Sequence, residues 1–162
     1  AKGMTVVEWE IVNLDIEFKV NASVEKVFEA WTEPKIFKQW LYTSKETNKV
    51  AQNQFEINGD WEIVDERRGE TFRATGTYMD IVEPYKLMYS FKMPQFSDLE
   101  DIITVEFIGL ENETQVKFNQ GLKVSLNDTI NKQSYEQTKE AAKKQTEEGY
   151  NEMFEKLKQI LD

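Results

Sequence analysis

The 162-residue chain carries 20 Lys and Arg against 30 Asp and Glu, a net charge of −10, and it has neither cysteine nor histidine. The first absence excludes disulfides, thiol chemistry and iron–sulfur ligation; the second removes the usual neutral-pH proton shuttle and the commonest zinc ligand. A hydrophobic fraction of 40% with 12% aromatics excludes an extended disordered chain, and the length favours one domain with its own core.

Residues 9–20 alternate: Val12, Leu14, Ile16, Phe18 and Val20 share one face, and Asn13, Asp15, Glu17 and Lys19 the other. This is the period-2 pattern of a strand with one buried side. Ser23 is placed to cap a helix carrying Val24, Val27, Phe28 and Trp31 at helical spacing, and Pro34 suits the first turn of a second short helix leading to Trp40 and Leu41. A strand is expected over 49–57, with Phe55 and Ile57 on one face. The Asn58-Gly59-Asp60 turn follows, then a strand carrying Trp61, Ile63 and Val64. The charged stretch Asp65 to Glu70 reads as a hairpin turn, after which Phe72, Ala74, Gly76 and Tyr78 alternate with Arg73, Thr75 and Thr77. Pro84 breaks the run. Leu87, Tyr89, Phe91 and Met93 form the next strand face, and Gln95 to Glu100 a polar loop around Phe96. Ile103, Val105 and Phe107 form another strand, which turns at Glu111-Asn112-Glu113 into Val116, Phe118 and Gln120.

From Ser134-Tyr135-Glu136-Gln137, a capping-box pattern, the period changes to that of a helix running to Leu161. Its apolar stripe is read as Ala142, Tyr150, Met153, Leu157, Ile160 and Leu161. Gly149 inside it, costing roughly 1 kcal/mol relative to Ala, points to a close approach to the sheet or a bend. The expected architecture is α+β: a curved antiparallel sheet of six or seven strands wrapped around a long C-terminal helix, with two short helices after the first strand. One domain spans 1–162, with a flexible N-terminus over 1–8. Ala1-Lys2-Gly3 ahead of Met4 is set aside as added sequence.

In order and spacing, three segments resemble one family. They are Ser23-Val24-Glu25-Lys26-Val27-Phe28-Glu29-Ala30-Trp31-Thr32-Glu33-Pro34 with the Gly59-Asp60-Trp61 turn; Gly76-Thr77-Tyr78-Met79-Asp80-Ile81-Val82-Glu83-Pro84-Tyr85-Lys86-Leu87; and Gly149-Tyr150 followed by Met153 and Leu157. The sequence resembles the activator of Hsp90 ATPase homologues within the START-like (SRPBCC) helix-grip superfamily over about residues 10 to 161. Tyr150 stands where that family often has Trp. The resemblance implies the helix-grip fold and a cavity for small apolar molecules. It also raises two alternatives: a co-chaperone that binds the Hsp90 ATPase, and a cyclase- or dehydratase-like enzyme.

The candidate cavity lining is Trp40, Trp61, Phe72, Tyr78, Tyr89, Phe91, Phe107, Phe118 and Met153. Each of these residue types is also ordinary core, and the functional reading requires an unfilled apolar hollow beneath the long helix. The Tyr78 or Tyr89 hydroxyl could orient a ligand or be satisfied by backbone carbonyls. Alternation turns Glu62 and Glu106 outward, Asp80 sits near a strand end, and there is no inward carboxylate pair and no nucleophile motif, so the domain is expected to be non-catalytic. The acidic stretches Asp98 to Asp101 and Glu147-Glu148 read as solvated surface, and neither metal nor cofactor is implied. The polar first half of the last helix, Glu136 to Glu148, reads as a solvated face. The arginine pair Arg67-Arg68 lies among Asp65, Glu66 and Glu70, so no basic stripe invites nucleic acid. No apolar run reaches the roughly 18 residues of a membrane helix, and there is no signal-peptide core, so a cytoplasmic location is expected. The Asn-x-Ser/Thr matches at Asn21, Asn112 and Asn127 read as chance.

Overall fold

Strand β1 (Trp9–Val20) buries Leu14, Ile16 and Val20, as its alternation requires. The computed structural model describes residues 9–126 and 133–162. The N-terminus over 1–8 and the Asn127 match lie outside these. Helix α1 (Val24–Thr32) starts where the Ser23 hydroxyl accepts the Lys26 amide N–H at 3.3 Å, and α2 (Pro34–Phe37) has proline in its first turn. Six strands and a helix follow in chain order: β2 (Asn48–Asn53), β3 (Asp60–Arg67), β4 (Glu70–Val82), β5 (Lys86–Phe91), β6 (Asp101–Leu110), β7 (Glu113–Ser125) and α3 (Gln133–Leu161). All seven strands form one antiparallel sheet in the order β1-β7-β6-β5-β4-β3-β2.

Several boundaries differ from the sequence reading: β5 ends at Phe91, before Met93, and α3 is already helical at Gln133, so Ser134 lies inside it rather than at its cap. Strand β2 stops at Asn53, because the chain turns to pass under Gly59, where a Cβ would lie 1.9 Å from the Gln54 carbonyl oxygen. Phe55 then packs edge-on against Phe28 and Tyr78, and Ile57 is exposed. The β3–β4 hairpin is tighter than expected. Arg67 pairs with Glu70 across Arg68-Gly69, whose φ angles of 54° and 78° are those of a two-residue primed turn. Asp65 and Glu66 therefore belong to β3, and strand alternation turns Asp65 inward. Gly76 serves a contact of the same kind: a Cβ there would strike the Ser90 carbonyl oxygen, to which the Trp61 indole donates at 3.2 Å.

Helix α3 is 29 residues long, about 40 Å, and its core face runs Tyr150, Phe154, Leu157, Leu161. Phe154, absent from the stripe read off the sequence, is at the centre of the interior. Its ring stacks on Phe18 at 4.4 Å and meets Phe118 at 5.4 Å, Trp31 at 6.0 Å and Trp40 at 6.3 Å. Met153, one position earlier, is turned to the flank. Gly149 makes no close approach: open space surrounds the position of its missing Cβ. No helix among the described residues is long and apolar enough to cross a membrane.

Candidate functional site

Beneath α3 the interior is filled. Between the short helices and the sheet, Trp31, Phe37, Leu41, Trp61, Tyr78 and Tyr89 leave a space of about 10 Å³, room for no more than one water. The cause is interlocking of large rings: Trp31 meets Trp40 at 4.7 Å and Phe107 at 5.4 Å, both edge-on. Trp40, Phe107 and Phe118 are consequently solid core. Trp61, Tyr78 and Tyr89 border the one-water void, and Phe91 lies between Tyr42, at 4.9 Å, and Trp61, at 6.4 Å.

The usable space lies beside the helix. A cleft of about 620 Å³ opens between α3, the segment after α2 and the turn end of β3–β4. Of the residues proposed from the sequence, Phe72 and Met153 line it. Tyr42, Met93 and Phe96 complete an apolar wall. Thr43, Ser44, Thr47 and Asp65 form a polar floor, Arg67, Lys156 and Glu152 a charged rim, and Gln145 adds a neutral amide. Gly149 leaves its helical side open to it. A second recess, of about 580 Å³, lies over β2–β4 on the other side of the sheet and is lined by Gln52, Glu62, Arg73 and Lys92 among others. There Arg73 is already paired with Glu62 at 2.5 Å.

Among the described residues, two carboxylates are buried. Asp65 is 1% exposed; its Oδ1 accepts the Thr43 hydroxyl at 2.8 Å and also the Thr47 hydroxyl. Its Oδ2 faces Arg67 Nε at 2.6 Å, yet among the described residues that oxygen accepts no hydrogen bond, so the pairing is ionic and misaligned. Asp101, read from the sequence as solvated, is 6% exposed. It is the first inward residue of β6, and its Oδ1 accepts the Lys123 amide at 3.0 Å while its Oδ2 accepts Gln120 Nε2 at 2.7 Å.

Asp101 ends a buried chain of hydrogen bonds that begins at the cleft. Tyr42 and Tyr150 share a bond of 2.8 Å, and Tyr150 donates to Gln120 Oε1 at 2.6 Å. Since the Tyr150 proton is committed to Gln120, the Tyr42 hydroxyl must be the donor to Tyr150, so every donor points toward Asp101. Burial, reinforced by the neighbouring phenols, holds Tyr42 and Tyr150 well above the usual tyrosine range, so both stay neutral. Tyr42 adopts φ 59°, a left-handed conformation uncommon for a bulky residue and sustained here by its ring and hydroxyl contacts. The hydroxyls of Tyr78 and Tyr89 are satisfied by side chains rather than backbone carbonyls. Asn53 donates to Tyr78 at 3.0 Å and the Trp31 indole to Tyr89 at 3.3 Å. Burial raises both, Tyr78 to about 12.

Desolvation by burial raises Asp101 above the ordinary carboxyl value, against the hydrogen bonds and charge that lower it. The folded state thus binds this proton more tightly than the unfolded chain does. Its contribution to stability is full below the unfolded value, about 4, and is lost as pH rises through the folded value. Asp101→Asn should flatten this decline; urea melts of both proteins across the acid-to-neutral range would show it. Parallel pH profiles would contradict the assignment.

Three structural neighbours place the fold. A Staphylococcus aureus protein of unknown function superposes with a TM-score of 0.88 at 31% identity, covering 95% of each chain. An uncharacterised Rhizobium leguminosarum protein gives 0.74 at 20% identity over 97% of this chain and 98% of its own. A Chromobacterium violaceum protein gives 0.68 at 15% over 92% and 96%. No curated protein matches the sequence. Sheet, short helix pair and long terminal helix define an α+β helix-grip domain of the START-like kind. Residues 21–162 match the family described as activator of Hsp90 ATPase homolog 1-like protein, and the chain belongs to that family.

Proposed function

We propose that this domain binds a small apolar or aromatic molecule reversibly in the cleft beside α3. The observation that carries this reading is an open space of about 620 Å³ with an aromatic and methionine wall, within the roughly 300–1,000 Å³ typical of small-molecule sites. Burying about 300 Å² of apolar ligand surface at about 25 cal/mol per Å² is worth roughly 7 kcal/mol. Association costs several kcal/mol of that, which leaves millimolar to micromolar affinity. A binding role, as opposed to a chemical one, is supported by the state of Asp65: Thr43, Thr47 and Arg67 already engage this cleft carboxylate.

Naphthalene derivatives and linear chains of graded length provide the test. A ligand at about 100 times its Kd should stabilise the fold by about 2.7 kcal/mol; no shift in melting temperature across the series would reject the reading. Phe96 offers a local check, being 67% exposed at the cleft mouth with Phe72 at 6.1 Å. Phe96→Ala should weaken binding several-fold, the loss of about 1 kcal/mol of apolar contact, and leave stability within about 0.5 kcal/mol. Isothermal titration beside a urea melt separates the two effects. A chaperone role would instead appear as raised ATP turnover when the domain is added stoichiometrically to the purified Hsp90 ATPase.

A further inference from the structure

The cleft is apolar on one side and cationic at one end, in a chain whose net charge is −10. Arg67 lies with its guanidinium carbon 4.7 Å from the centre of the Phe72 ring, which sets its charge over the apolar wall. Its Nε faces Asp65 without a hydrogen bond, and among the described residues its two terminal nitrogens meet no acceptor. Lys156, half-buried on α3, donates one N–H to the Thr43 carbonyl at 2.9 Å. Among the described residues its other two donors are unused. Desolvation by burial holds this ammonium below the ordinary lysine value, against the opposing pull of Asp65, Glu152 and Glu46.

The groups of opposite sign have been assigned elsewhere or stand in water. The Oδ1 of Asp65 is occupied by two threonine hydroxyls, and its charge is set against that of Arg67. Glu152 is exposed on the rim and Glu46 lies on the loop nearby, where solvent screens them. A neutral apolar guest would leave the fork of Arg67, whose side chain is 57% exposed, and the two donors of Lys156 to water alone. A planar anion would satisfy both, through paired N–H···O bonds to the guanidinium and a point contact to the ammonium.

Building on the proposed binding role, we propose that the ligand of this cleft is an apolar or aromatic carboxylic acid, its body against Tyr42, Phe72, Met93, Phe96 and Met153 and its carboxylate between Arg67 and Lys156. Arg67 orients the head group, and Lys156 supplies charge from the helix side. Ligand polarity, rather than ligand shape, then sets selectivity among molecules that fit the apolar wall.

The test compares decanoate, decanamide and decylamine, and in parallel 2-naphthylacetate, its amide and the corresponding amine, by isothermal titration near neutral pH. Each acid is expected to bind at least about tenfold more tightly than its amide, as charge-assisted hydrogen bonds are stronger than neutral ones. Arg67→Gln and Lys156→Gln should each reduce acid affinity about five- to twentyfold and leave amide binding within about twofold, the unchanged amide affinity serving as the control for folding. Arg67→Lys should restore only part of the loss, since an ammonium lacks the fork. Equal affinity for acid and amide, tighter binding of the amine, or acid binding indifferent to both variants would overturn the carboxylate assignment and leave the binding role intact. Failure of all six compounds to bind would overturn both.

Discussion

Gly149→Leu is expected to abolish uptake of apolar ligands while the domain becomes more stable. Few substitutions separate binding from folding so cleanly. Gly149 is an interior residue of a 29-residue helix, where glycine costs roughly 1 kcal/mol relative to Ala, and leucine ranks among the better helix formers. No atom lies within 4 Å of the place its Cβ would take, and the residue lines the cleft. A leucine side chain placed there would occupy the volume a ligand needs and gain contact with the apolar wall. Gly149→Ala is the companion: stability should rise by up to about 1 kcal/mol, with ligand affinity largely kept, since one methyl fills little of a cleft of about 620 Å³. Urea melts and titration of a naphthalene probe on the three proteins decide the matter. Undiminished binding in Gly149→Leu would place the ligand somewhere other than this cleft.

Gln120→Leu should be among the most destabilising changes in the sheet, although it exchanges a polar residue for an apolar one in the core. Gln120 is 1% exposed and bridges Tyr150 and Asp101 with bonds of 2.6 and 2.7 Å. Leucine would strip a buried phenol of its acceptor and a buried carboxylate of a donor, each costing about 1–3 kcal/mol. The expected loss is roughly 2–5 kcal/mol, the upper part arising if Asp101 remains ionised. Tyr150→Phe alone should cost about 1–3 kcal/mol by leaving Gln120 Oε1 and the Tyr42 hydroxyl without each other's relay. The double variant should cost less than the sum, because either change alone breaks the shared bond. Chemical denaturation with an unchanged slope measures all three. A change below about 0.5 kcal/mol for Gln120→Leu would mean that water replaces the lost partners.

The same residues show what could be read from the chain. Alternation along β7 marks Val116, Phe118 and Gln120 as inward neighbours, so a buried polar side chain was legible. Its partners were not, because Asp101 is 19 residues away and Tyr150 is 30, and neither periodicity nor local spacing pairs such positions. Asp65 was hidden for a different reason. A run of charges ending in glycine has the composition of a turn, yet the turn needs only Arg68 and Gly69, and cross-strand pairing carries β3 through Arg67. Phe154 carried a usable signal, lying four residues after Tyr150 and three before Leu157, the spacing of one helix face.

Local patterning by itself determined the element order, the antiparallel sheet with its long covering helix, and which side of most strands faces inward, because these follow from side-chain periods of 2 and 3.6 residues. It also supplied two residues of the cleft, Phe72 and Met153. Tertiary structure alone decided where the empty volume lies. Whether rings brought from α1, β6, β7 and α3 close on one another or leave a gap depends on their three-dimensional interlock. Here Trp31, Trp40, Phe107, Phe118 and Phe154 close the centre. The open space is thereby displaced to the helix flank, where Tyr42, Arg67 and Lys156, far apart in the chain, come to face the same cleft.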